Sequence, residues 1–227
     1  MKTFTLLFLL IIPLSYLKIF AQEPESIPSV HKVIVSDGIQ LQIERSEGSN
    51  LLISKNELDP NCLIKSIEKG ILTLKIRSGF GCKGKVIVHL ACPDLKELEI
   101  SAKAEVSTKN LMKCDSLKFT IRSGGKAYVD LDIKYLEADV TGWGLFQSEG
   151  YAIKQLINLS SSGTFSGYKL EGEVVTIKAY SGGKGKICVT EELNAETGSN
   201  GYISYNCEPK KKNINSKGSA KIEPYKE

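Results

Sequence analysis

Leu117-Lys-Phe-Thr-Ile-Arg-Ser123-Gly-Gly-Lys-Ala-Tyr-Val129 is the stretch whose reading decides the fold. Leu117, Phe119 and Ile121 alternate with Lys118, Thr120 and Arg122. A period of two puts one set of side chains into a core and the other into water, which is a strand and not a helix. Ser123-Gly-Gly then turns the chain where a Cβ would clash, and Ala127 and Val129 begin a second alternation.

The same unit recurs on both sides. Upstream stands Leu95-Lys-Glu-Leu-Glu-Ile-Ser101-Ala. Downstream come Leu136-Glu-Ala-Asp-Val-Thr141-Gly, Leu156-Ile-Asn-Leu-Ser-Ser-Ser162-Gly, Val175-Thr-Ile-Lys-Ala-Tyr-Ser181-Gly and Leu193-Asn-Ala-Glu-Thr197-Gly, with a degenerate copy ending at Gly218. The turns also align: Ser123-Gly-Gly-Lys with Ser181-Gly-Gly-Lys, and Thr141-Gly-Trp-Gly with Ser161-Ser-Gly. A spacing of roughly 16–22 residues is one coil of a solenoid, not a helical repeat. One coil cannot bury its own apolar face, so coils stack and each strand lies parallel to its equivalent in the next. The fold class is therefore all-β, a single-stranded parallel β-helix. An antiparallel β-sandwich is the alternative, because glycine turns also serve hairpins.

Residues 33–91 read as less regular strands around Asp37-Gly38 and Glu47-Gly48. They are expected to form an irregular cap over the open end of coils spanning 92–222, so that 33–222 is one domain. Residues 22–32 read as a flexible lead and 223–227 as a frayed tail, with the lysine-rich stretch after Pro209 running past the last coil.

The first 21 residues stand apart. Lys2 precedes an apolar run from Phe4 to Ile12, too short to span a bilayer but fitting a secretory signal, with cleavage expected after Ala21. Removing Lys2 and Lys18 lowers the formal charge from +4 to +2, too little to hold nucleic acid. After cleavage no transmembrane span is expected. Export to the periplasm, the outer cell surface or the medium follows.

Six cysteines in an exported chain suggest disulfides. Aligning Leu95 with Leu117 puts Cys92 and Cys114 at equivalent positions about 4.8 Å apart, within disulfide reach. Cys62–Cys82 is the natural pair across the irregular region, and Cys188–Cys207 is left by elimination. No CxxC occurs and the histidines number two, so no metal site and no cofactor is expected.

Catalytic chemistry has little to build on. His31 leads into the first strand and His89 lies on the polar side of Val88 and Leu90; both read as surface residues. No GxSxG, HExxH or phosphate-cradling motif is present. Asp130, Asp132 and Asp139 are the one acidic cluster that stacking could assemble. Among aromatics at or beside the turns, Trp143, Tyr180 and Tyr202 are the candidate ligand-binding residues, able to stack on sugar rings. Trp143 could equally plug a corner of the core.

The ordered series of Ser/Thr-Gly turns resembles the putative auto-transporter adhesin head GIN domain family of bacterial exported proteins. Gly201-Tyr-Ile-Ser-Tyr205-Asn-Cys207-Glu-Pro209 is similar to that family's late Tyr-x-Gly-x-Pro stretch, with Cys207 in place of the glycine. Cys92-Pro93-Asp-Leu95 is similar to its Pro-x-Leu lead into the first regular coil. The resemblance runs from Val33 to Ile222. It implies a right-handed β-helix on the envelope of a Bacteroidetes-like bacterium and supplies no activity. The expectation is a non-enzymatic, adhesin-like module that binds a surface glycan or an envelope protein. A polysaccharide-acting β-helix enzyme and a structural spacer are the alternatives.

Overall fold

The computed structural model describes residues 23–59, 61–79 and 81–225. The expected signal segment lies outside them. Among the described residues all regular structure is strand, and no helix is long and apolar enough to cross a membrane.

The chain runs through β1 (Glu25–Ser26), β2 (Lys32–Val35), β3 (Gln40–Glu44), β4 (Asn50–Asn56), β5 (Leu63–Glu68), β6 (Ile71–Ile76), β7 (Val86–Ala91), β8 (Glu97–Ile100) and β9 (Glu105–Thr108). The regular part follows as β10 (Met112–Ile121), β11 (Lys126–Val140), β12 (Leu145–Leu159), β13 (Thr164–Ala179), β14 (Lys184–Thr197), β15 (Tyr202–Asn206), β16 (Lys211–Ser216) and β17 (Lys221–Pro224). From β8 onward each strand pairs in parallel with its equivalent one coil away: Leu117 opposite Leu136, Ala127 opposite Phe146, Val175 opposite Leu193. This is a parallel β-solenoid, and the sandwich alternative falls.

Each coil bends at two corners. In β11 the inward residues are Ala127, Val129, Leu131 and Ile133, then Leu136, Ala138 and Val140; Lys134 and Tyr135 both point outward. That one-residue break in the alternation swings the strand from one face of the flattened tube to the other. The other corner is the Ser/Thr-Gly turn. Its two central residues are left-handed, as at Ser123 (φ 52°) and Gly124 (φ 72°), and the turn closes with Gly125 N–H donating to Arg122 C=O at 3.0 Å. The glycine after the pair has a different task. A Cβ on Gly163 would stand 2.1 Å from the Val140 carbonyl oxygen of the preceding coil, so at this corner only glycine fits.

Columns of like side chains fill the tube. Phe119, Phe146 and Phe165 form its densest part, with ring centroids 4.6 and 5.3 Å apart. Space for them comes from small neighbours in the adjoining coils. Ala138 is opposite Phe119, Ala127 opposite Phe146 and Gly185 opposite Phe165. Gln155 also points inward, buried among these columns with its Oε1 unpartnered.

The cap is built out of chain order. β2 lies between β6 and β8, and β3 between β7 and β9, all parallel. The chain therefore makes one coil, adds a second above it with β6 and β7, and returns beneath the first. β5 then pairs antiparallel with β6, β4 with β7 and β1 with β4. The expected flexible lead is thus a short strand anchored by Ile27 and Val30, both buried. The stretch after Pro209 likewise forms β16 and β17 rather than fraying, because its backbone continues the ladders of β14 and β15.

This stacking order corrects the first disulfide expectation. Cys92 N–H donates to Glu44 C=O at the end of β3, on the cap side, while Cys114 pairs with Ile133 on the far side. β3 lies between the two levels, so Cys92 and Cys114 are not neighbours and both are free thiols. Cys62–Cys82 and Cys188–Cys207 are bonded, with Cα separations of 5.5 and 5.2 Å.

Candidate functional site

The turn corners stack into a continuous ridge. Second-position N–H groups donate to first-position carbonyls of the next coil: Lys103 to Ser123, Gly124 to Gly142, Trp143 to Ser161, Ser162 to Ser181, Gly182 to Ser199. Almost every side chain on this ridge is small: Ser123, Gly124, Gly142, Ser161, Ser162, Ser181, Gly182, Ser199. The exceptions on the stacked positions are Asp37 and Lys103 toward the cap, Asn200 toward the other end, and Trp143.

Trp143 is 79% exposed and sits at φ 58°. Plugging the core is thereby excluded. A bulky residue in the left-handed region costs about 1–2 kcal/mol, and leaving an indole in water forgoes its burial. The neighbouring coils place Gly124 and Ser162 at the same point.

Tyr180 and Tyr202 lie on the same corner but are not gathered around Trp143. The Tyr180 turn is two coils on, and its ring lies over Gly198, where a Cβ would meet it at 3.1 Å. A hydrogen bond to Glu196 pushes its phenol pKa up. Tyr202 starts the following face one coil further and donates to Glu223 at 3.0 Å. Tyr180 enters its turn and Tyr202 leaves the next, so they flank the ridge two and three coils from Trp143 and form no pocket with it.

On the opposite corner a groove of about 630 Å³ opens where the cap meets the regular stack. Arg45, Lys96, Lys113, Lys134, Asp115 and Asp132 line it, and Cys114 lies within it. Lys134–Asp115 (2.7 Å) and Lys113–Asp132 (3.2 Å) pair across successive coils. Burial pushes the Cys114 thiol pKa up. Nearby, the Tyr151 hydroxyl donates to Glu173 at 2.6 Å, which raises its pKa to about 12.

The acidic cluster does not assemble. Asp132 is on one face in an ion pair with Lys113, whereas Asp139 is on the other, accepting from Asn158 at 2.8 Å. The corner at Lys134 separates them. Among the described residues no group of His, Cys, Asp and Glu could hold a metal ion.

One arrangement escaped sequence reasoning. On the outer face of the cap, Ser54 Oγ is 2.9 Å from His89 Nε2, and His89 Nδ1 is 3.0 Å from Gln42 Oε1. The three come from β4, β7 and β3. Alternation placed His89 on the polar face, but its partners are 35 and 47 residues away and depend on the out-of-order stacking.

A family model described as "Putative auto-transporter adhesin, head GIN domain" matches residues 30–209. No curated protein matches. Among solved structures, a putative adhesin from Bacteroides fragilis is similar at TM-score 0.81 and 18% identity, covering 89% of this chain and 95% of that one. A putative adhesin from Parabacteroides merdae follows at 0.67 and 19%, covering 90% and 95%. A protein from Parabacteroides distasonis described as a putative lipid binding protein aligns at 0.65 and 16%, covering 90% and 96%. At these identities the likeness establishes the fold.

Proposed function

Because the chain belongs to the putative auto-transporter adhesin head GIN domain family, we propose that it is an exported envelope module that binds surface glycans along its turn ridge. The observation that carries this reading is Trp143: a left-handed, 79% exposed indole whose neighbours on the ridge, Gly124 in one adjoining coil and Ser162 in the other, are small. Backbone strain and exposure are both unfavourable for folding, so the residue is best explained by what it contacts outside. A flat aromatic beside hydroxyls suits a pyranose ring, which offers a C–H face for stacking and hydroxyls for hydrogen bonds. Tyr180 and Tyr202 flank the same ridge two and three coils away and would offer further stacking faces to a longer glycan. Two disulfides accord with an oxidising, extracytoplasmic compartment. The polysaccharide-enzyme alternative loses its cluster once Asp139 stands apart from Asp130 and Asp132.

Glycan-array screening of the chain, followed by titration of Trp143→Ala, tests this. The expected result is retention of an oligosaccharide by the wild type and a loss of about tenfold or more in the variant, with Trp143→Phe intermediate. Equal binding by wild type and Trp143→Ala would remove the ridge from consideration.

A further inference from the structure

The Ser54–His89–Gln42 chain has the connectivity of an activated nucleophile. Gln42 Oε1 can only accept, so His89 Nδ1 carries the proton and donates to it at 3.0 Å. Nε2 is then the lone-pair nitrogen, and the Ser54 hydroxyl, which also lies 3.4 Å from the Ile87 carbonyl oxygen, donates along the shorter contact to Nε2 at 2.9 Å. That is the order nucleophile, base, orienting acceptor, with an amide in the third place.

Its setting adds two further features. Opposite β7, Ile53 faces Val88 and Lys55 faces Ile87, so Ser54 is the extra residue of a β-bulge. A bulge re-aims its side chain and leaves main-chain groups outside the ladder, where an N–H can meet a developing oxyanion. Beside His89 and Gln42 lies a groove of about 310 Å³ whose apolar wall includes Leu52, Leu90 and Ala91, with Asn50 in its lining. That volume suits a small acyl group.

We propose that Ser54 is a nucleophile for acyl transfer, with His89 as its general base and Gln42 as a positioning residue, acting on small carboxylic esters. Ser54 Oγ forms the bond to the acyl carbon while its proton passes to His89 Nε2. The ester C–O bond then breaks, and the leaving alkoxide takes that proton. Water, deprotonated by the same nitrogen, hydrolyses the acyl-serine. This activity is separate from the ridge, so it stands or falls independently of glycan binding.

The full chain treated with a fluorophosphonate probe, with adducts mapped by peptide mass spectrometry, provides the test. A single adduct on Ser54 is expected, absent from Ser54→Ala. His89→Ala should slow labelling about 100-fold. Gln42→Ala should slow it about tenfold, whereas Gln42→Glu restores or exceeds the wild-type rate because a carboxylate also stabilises the imidazolium. Release of nitrophenol from p-nitrophenyl acetate should follow the same order. Nitrogen-15 NMR of the unmutated protein reads the tautomer directly, with Nδ1 protonated. An unlabelled Ser54, labelling indifferent to His89, or an Nε2-protonated ring overturns the proposal. A Gln42→Glu variant as slow as Gln42→Ala removes the positioning role.

Discussion

The two ends of the solenoid face the same problem and meet it differently. A stack of parallel strands ends in a row of unpaired N–H and C=O groups and an open core. At the cap the chain reverses direction: β5 and β4 run antiparallel against the outermost coil, β1 covers β4, and Cys62–Cys82 ties the ends of the β5–β6 hairpin. At the other end the strands simply stop. There β16 is exposed throughout, Ile214 is 45% exposed, and the inward column that reads Leu117, Leu136, Gln155, Val175, Leu193 finishes in Lys212. Its ammonium lies 5.9 Å from the centre of the Tyr205 ring. Lys210 and Lys211 pair with Glu191 and Glu192 of the coil behind. One end is closed by pairing, the other by charge.

Stability should therefore depend on where along the stack a contact is lost. Phe146→Ala removes a ring that touches both Phe119 and Phe165, so it weakens two interfaces at once. A loss of about 3–5 kcal/mol is expected from urea unfolding followed by far-UV circular dichroism. Ile222→Ala at the open end is half-buried and has a neighbouring coil on one side only; about 1 kcal/mol is expected. Similar losses from both would mean that the stack unfolds without regard to position, against nearest-neighbour behaviour.

The disulfides make a second matched pair. Their sequence separations are 20 and 19 residues, so loop closure alone predicts similar contributions, roughly 3 kcal/mol each. Their surroundings differ. Cys188–Cys207 joins β14 to the residue after β15, and serine at both positions should release the last coil locally. Amide protection should fall in β15, β16 and β17 while β11 and β12 keep theirs. Serine at Cys62 and Cys82 should instead lower the unfolding midpoint of the whole domain, because the cap is what the first coil leans on. Uniform loss of protection in both variants contradicts the distinction drawn between the ends.

How far the sequence revealed this depends on whether local alternation was enough. Leu117 and Leu136 align as the pattern requires, and the turns mark every regular corner. Leu156, however, was matched to Leu136 by residue type; Leu136 faces Gln155. Counting back in twos from the turn, through Leu159 and Ile157, gives Gln155, so geometry was a better guide than hydrophobicity. The cap order was hidden, since nothing local says that β7 stacks above β3 instead of below β9. The Cys92–Cys114 expectation and the Ser54–His89–Gln42 cluster both depended on that order, one wrongly and one unseen. Trp143 was legible as an unusual turn residue. Whether it pointed in or out required the left-handed geometry of Gly142-Trp143.

The smallest effect on folding tests the charged end most directly. In Lys212→Val the inner column would finish in an apolar residue opposite Leu193, and the last coil should gain a few tenths of a kcal/mol from better packing. The same change removes the inward-pointing charge from a bare parallel edge that already shows Ile214. Such an edge is a template for another strand. The variant should therefore self-associate at concentrations where the wild type stays monomeric, read by light scattering coupled to gel filtration. An equivalent apolar change at the cap, Lys65→Val on β5, should leave the association state alone, because β5 runs antiparallel to β6 in a hairpin tied by Cys62–Cys82 and does not extend the parallel ladder of the stack. If Lys212→Val remains monomeric, charge is not what guards that end, and the Lys210–Glu191 and Lys211–Glu192 pairs would be left as local clamps on β16 alone.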